Sequence, residues 1–149
     1  MSDAIVVEAS RTGESSLEVS NGRASVTGAW DPEAGTWMPT ELFLGGLASC
    51  MLANAMHHAH VNGIDVGGMS VRVTGETARR PTRFGHISVD LVVPDLADTH
   101  AEAIVRAASR CKVHNTLHDV PDIDVRIVRT STGVDHPQLS TSTEKGGQR

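Results

Sequence analysis

Between Pro39 and Val61 the chain carries a run that decides much of what it can fold into. Leu42, Phe43, Leu44, Leu47, Ala48, Met51, Leu52, Ala55, Met56 and Ala59 recur at helical spacing and cover most of a helix's circumference. A helix apolar nearly all round must be buried. Pro39 suits the first turn, where its missing N–H costs nothing, and Gly63 after Asn62 is a good left-handed terminator. Such a helix is about 35 Å long, which is long for a chain of 149 residues. Its apolar circumference exceeds what one chain of this size readily covers, so the expectation is an obligate dimer. Gly45-Gly46 sits inside it and lowers helical propensity by roughly 2 kcal/mol relative to two alanines. The pair implies tight packing, or else a close backbone approach or a bend.

Strand patterns stand on both sides of this helix. Ala4 to Glu8 is rich in Ile and Val. Leu17 to Val26 alternates and is interrupted by Asn21-Gly22, which supplies positive φ and predicts a two-residue hairpin. Asp31-Pro32 and Gly35 mark a loop between Trp30 and Met38. Beyond Gly67-Gly68 come Met69 to Thr77 and His86 to Val93, joined through Arg79, Arg80, Pro81, Thr82 and Arg83. A second helix begins near Thr99, whose hydroxyl together with Glu102 fits a capping box. Ala101, Ile104, Val105, Ala108 and Cys111 follow helical spacing, which places Cys111 on its buried stripe. Ile123 to Arg129 has the period-two alternation of a last strand. The expected order is β-β-β-α-β-β-α-β, an α+β domain with two central helices over residues 1–130. Residues 131–149 hold almost no apolar side chains, and a disordered tail is expected there.

Charge narrows the function classes. Thirteen Lys and Arg against eighteen Asp and Glu give −5. The arginines are scattered apart from Arg79, Arg80 and Arg83, without the basic stripe of a counterion-releasing nucleic-acid binder. No apolar run approaches the roughly 20 residues that span a bilayer. Met1-Ser2-Asp3-Ala4 lacks the basic and apolar regions of a secretory signal. A cytoplasmic protein with neither nucleic-acid nor membrane partners is expected.

Two cysteines, Cys50 and Cys111, lie far apart and belong to no CxxC pair. A static disulfide is disfavoured in a reducing cytosol. That leaves two readings: inert buried thiols, or a pair that cycles through oxidation. The neighbours of Cys50 (Leu47-Ala48-Ser49 and Met51-Leu52) are uncharged, and burial alone raises a thiol's pKa. A reactive role needs a cation from elsewhere in the fold.

The run Pro39-Thr40-Glu41-Leu42-Phe43-Leu44-Gly45-Gly46-Leu47-Ala48-Ser49-Cys50 resembles the first-cysteine helix of the OsmC/Ohr family, the osmotically inducible protein C and organic hydroperoxide resistance proteins. Ala107-Ala108-Ser109-Arg110-Cys111-Lys112-Val113-His114-Asn115-Thr116-Leu117 is similar to that family's second-cysteine helix. Pro81-Thr82-Arg83-Phe84-Gly85-His86-Ile87 also resembles a common stretch of these proteins. The resemblance spans roughly residues 5 to 129. It implies a thiol peroxidase acting as an intertwined homodimer, with no cofactor. Cys50 is then the peroxidatic residue that attacks an organic hydroperoxide, and Cys111 the resolving thiol. A dithiol, lipoyl-type in some relatives, returns the pair to the reduced state.

The resemblance also implies an Arg that stabilises the thiolate and a Glu that holds it. Arg11, within Ser10-Arg11-Thr12-Gly13, resembles the N-terminal arginine of the hydroperoxide-resistance branch; a solvated loop arginine is the plainer reading. Arg23 and Arg83 stand in reserve. The family's glutamate directly follows the proline, but Thr40 holds that slot here and Glu41 comes next. On a regular helix Glu41 then lies about 180° around from Cys50 and about 13 Å along the axis. A negative charge favoured by the helix dipole explains it equally well. This departure places the chain nearer the generic OsmC-like branch.

His57, His58 and His60 crowd the end of the first helix, without an acidic or Cys partner nearby; histidines there are favoured by the dipole, and no metal site is expected. His114, one turn beyond Cys111, is either a surface residue or a local proton donor. Two rival functions remain: a non-catalytic OsmC-like protein that binds a small apolar ligand, and a redox sensor whose disulfide alters its surface.

Overall fold

Strand ladders come before and after one long helix along the chain in the computed structural model, which describes residues 4–129. β1 (Glu8–Arg11), β2 (Ser16–Ser20) and β3 (Ser25–Ala29) form an antiparallel sheet in that order. The long helix α1 (Pro39–Asn62) follows. β4 (Ser70–Ala78) and β5 (Arg83–Val92) make a second antiparallel sheet, and the helices α2 (Asp98–Ser109) and α3 (Lys112–His118) come after it. The α+β class is as expected, with three helices instead of two.

α1 begins and ends as its sequence dictates. Pro39 occupies the first turn, and the Glu41 carboxylate accepts the Met38 N–H at 2.9 Å, satisfying one of the donors a helix start leaves open. Gly63 closes the other end at φ 63°, its N–H directed to the last carbonyls. The helix runs unbroken through Gly45-Gly46, and a Cβ at Gly45 would stand 3.5 Å from the Trp37 ring. Leu47, Met51, Ala55 and Ala59, four residues apart, form its buried stripe. This stripe packs with Ile104, Ala108 and Cys111, and Val73, Ile87, Val89 and Leu91 close over the cluster from the second sheet. Phe43, Met56 and Val61, on other faces of α1, are exposed on the single chain.

Several local expectations are corrected. The first strand is Glu8–Arg11, displaced from Ala4–Glu8. Its ladder pairs Glu8 with Ser20, and beyond that point β2 has already ended and the chain turns at Asn21. The hairpin joining β2 and β3 pairs Ser20 with Ser25 across a four-residue loop. The Asn21 side-chain oxygen accepts the N–H groups of both Arg23 and Ala24, and Gly22 alone has positive φ. At the start of α2 the cap position is Ala97, without a side-chain cap. Glu102 instead pairs with Arg106 one turn on, so the Thr99 capping box does not form.

A first compact unit extends to Asp119, and a second starts at Val120. Ile123 to Arg129 was expected as a last strand. It forms no strand, and its apolar side chains are exposed. Alternation marks a face that can be buried, whereas a strand also needs a neighbour for its backbone groups. The expected disordered tail, residues 131–149, lies outside the described residues.

Candidate active site: two facing thiols

Cys50 sits on the inner half of α1, between the buried Leu47 and Met51, and is half-buried. Cys111 is fully buried. It does not ride on the stripe of α2, as the periodicity suggested. The helical path breaks at Arg110, and Cys111 becomes the cap of α3, its sulfur accepting the His114 N–H at 3.2 Å. No Pro or Gly marks this break, so the sequence carried no signal for it. The packing of α1 against α2 and α3 brings Cys50 and Cys111 together, close enough for the Cys50 thiol to shift the ionisation of Cys111.

Electrostatics distinguish the second thiol. Burial pushes the Cys111 pKa up from its ordinary value. The His114 N–H opposes this by favouring the thiolate. The adjacent Cys50 sulfur raises it further, by accepting the S–H and, once ionised, by repulsion between like charges. Both cysteines are reduced, and Cys111 is held as a protonated thiol against the sulfur it faces. Asn54 ties its side-chain amide to the Cys50 carbonyl at 2.9 Å, bracing the turn that carries the first thiol.

The charged candidates lie apart from this pair in their bonding. Arg11 is exposed near the end of β1, and its Nε donates to the Gly13 carbonyl at 2.8 Å. Arg23 is exposed in the β2–β3 loop, and Arg83 donates to the Phe84 carbonyl at 3.3 Å. Glu41 is engaged in capping α1, and Thr40 beside it is exposed. Of the histidines ending α1, His57 and His60 are exposed, and His58 accepts the Asn62 amide through its backbone carbonyl.

Two clefts border α1. The larger, about 870 Å³, is walled by Leu47 and Met51 of α1, Ile87 and Val89 of β5, and His114 and His118 of α3. The smaller, about 420 Å³, lies between Trp37, Glu41, Leu44, Ala48 and Val73. The smaller is largely apolar, whereas the larger also carries His86, Asp90 and Ser109 on its wall; such mixed lining suits an organic molecule with a polar group. No helix among the described residues is long and apolar enough to cross a membrane.

Known structures share this fold. An OsmC-like protein from Mycoplasma pneumoniae is 27% identical, with a TM-score of 0.67 over 80% of this chain and 91% of its own. An organic hydroperoxide resistance protein OsmC from Legionella pneumophila is 23% identical (TM-score 0.58; 77% of this chain and 89% of that one). The organic hydroperoxide resistance protein OhrB of Bacillus subtilis is also 23% identical (TM-score 0.55; 79% and 93%). The curated proteins contain no match. The family model of OsmC-like proteins matches residues 17–126, a span that takes in both thiols and the helices that oppose them, and the chain belongs to that family.

Proposed function

We propose that this OsmC-like chain is a cytoplasmic thiol peroxidase that reduces organic hydroperoxides as a homodimer. One observation carries the reading: two cysteines distant in sequence meet thiol to thiol within an apolar core. The Cys50 thiolate attacks the O–O bond; an S–O bond forms, the alcohol leaves with a proton, and Cys50 becomes a sulfenic acid. The Cys111 sulfur then attacks the oxidised sulfur, an S–S bond forms, and the hydroxyl leaves with the Cys111 proton as water. A dithiol, lipoyl-type by analogy with relatives, reduces the disulfide through a mixed disulfide and is itself oxidised. By the family resemblance Arg11 would stabilise the first thiolate and Glu41 position it, with Arg23 and Arg83 as the alternative cations; to do so Arg11 and Glu41 must leave the Gly13 carbonyl and the Met38 N–H that they hold in the resting chain.

The two thiols must behave asymmetrically. Cys50→Ser abolishes hydroperoxide consumption, because no other group supplies the nucleophile. Cys111→Ser allows one attack and stalls at a sulfenic acid that a dimedone-type reagent traps. Oxidised wild type differs from the reduced protein by two hydrogens. Peroxide consumption at the wild-type rate by Cys50→Ser overturns the mechanism, as does a wild type whose thiols both stay reduced in peroxide.

A further inference from the structure

The mouth of the larger cleft holds a pair of side chains that the peroxide chemistry does not use. His114 and His118 stand one helical turn apart on α3, so their rings emerge from the same side. Their Nε2 atoms lie 3.3 Å apart, and the rings meet at 62° with centroids 4.5 Å apart. Two nitrogens that each bind one ion at about 2.0–2.1 Å with tetrahedral angles are about 3.3–3.4 Å from each other. The separation seen here, bridged in the metal-free chain by an N–H···N hydrogen bond, is also the one a chelate needs. Among the described residues the His114 ring has a single hydrogen-bonding neighbour, His118, and its Nδ1 is buried without any.

We propose that His114 and His118 form a two-histidine site for a divalent first-row transition-metal ion, of the Zn(II) or Ni(II) kind that imidazole favours. Among the described residues no group of three His, Cys, Asp or Glu side chains is arranged around one point. The site is therefore open, and its remaining positions fall to water or to an anionic group in the cleft. The geometry sets this pair apart from His57 and His60, which the sequence also places on one face but which make no such contact. The site stands whether or not the thiols reduce peroxides. The two are connected all the same: His114 also gives its backbone N–H to Cys111, so an ion here holds the turn that carries the second thiol.

Calorimetric titration of the reduced, tag-free protein with Ni(II) tests the site. One ion per chain is expected, with a rise in melting temperature on binding. His118 is exposed at the end of α3, so His118→Ala should fold as the wild type does without metal. It should weaken Ni(II) binding about tenfold or more and remove the metal-dependent rise. His57→Ala and His60→Ala should leave binding unchanged. With Co(II) as probe, the adduct should lack the sulfur-to-metal charge-transfer absorption that the facing thiolates would produce. Binding that survives His118→Ala, a sulfur charge-transfer band, or no saturable binding at all overturns the proposal.

Discussion

Burial and the Cys50 sulfur together keep the Cys111 proton in place, and this has a consequence for stability. A group whose pKa is raised in the folded state stabilises the fold fully below its unfolded value, and the contribution is lost as pH rises through the folded value. The ordinary value is 9.0, so wild type should lose stability progressively above it in denaturant melts. The Cys111→Ala variant should lack that component, whatever its stability at neutral pH. The chain has no Tyr, so phenol ionisation does not confuse the comparison. A second residue-scale test concerns Glu41. Its carboxylate accepts the Met38 N–H, and Glu41→Ala should cost about 1 kcal/mol in chemical denaturation, the usual size of a lost helix cap. At this scale the sequence was informative through its cysteine contexts and silent on their geometry. That Cys50 faces Cys111 depends on how α1 packs against α2 and α3, which no local periodicity encodes. His114 and His118 illustrate the same limit, since their spacing becomes a contact only once α3 is known to be a helix of its own.

Elements were legible where hydrophobic period and chain punctuation agreed. Pro39 and Gly63 bracket α1 as expected, and the β4–β5 alternation places Val73, Ile87, Val89 and Leu91 on the core side. Boundaries failed where a side chain competed with the backbone, as with Asn21 in its loop, or where pairing rather than pattern set the length, as at β1 and Ile123–Arg129. Two glycines give this scale a paired test. A Cβ on Gly28 would stand 2.8 Å from Leu17 Cδ1 and 3.1 Å from the Trp37 carbonyl oxygen, in the bridge that joins β3 to the loop before α1. Gly28→Ala should therefore lose about 1–3 kcal/mol, as overpacked sites do. Gly46 lies within α1 with nothing inside 4 Å of its added Cβ, so Gly46→Ala should gain about 0.5–1 kcal/mol from helix propensity. Urea melts of the two variants measure both signs, and a loss at Gly46 would place another backbone against it.

The whole molecule has less core than its sequence offers. Ala29, Leu47, Met51, Ala55, Ala59, Ile104, Ala108 and Cys111 are the buried apolar residues among those described. Phe43 and Met56 on α1 remain 42% and 52% exposed, and Trp30, Trp37 and Val61 are exposed as well. Exposed apolar side chains on this scale usually mark an interface, which supports the homodimer proposed above. Light scattering after size exclusion should give twice the chain mass of 15.8 kDa. The melting temperature should rise with protein concentration, since association stabilises only the folded state. Met56→Glu separates a dimer from a monomer. On a free helix face a charge changes stability by no more than about 0.5 kcal/mol. Against a partner the carboxylate must be desolvated without a counter-charge, which costs several times more. The variant should therefore shift towards 15.8 kDa as it is diluted and melt at a lower temperature. If Met56→Glu behaves as wild type at every concentration, that face of α1 is solvent-exposed in the assembled protein, and the dimer must be built on another surface.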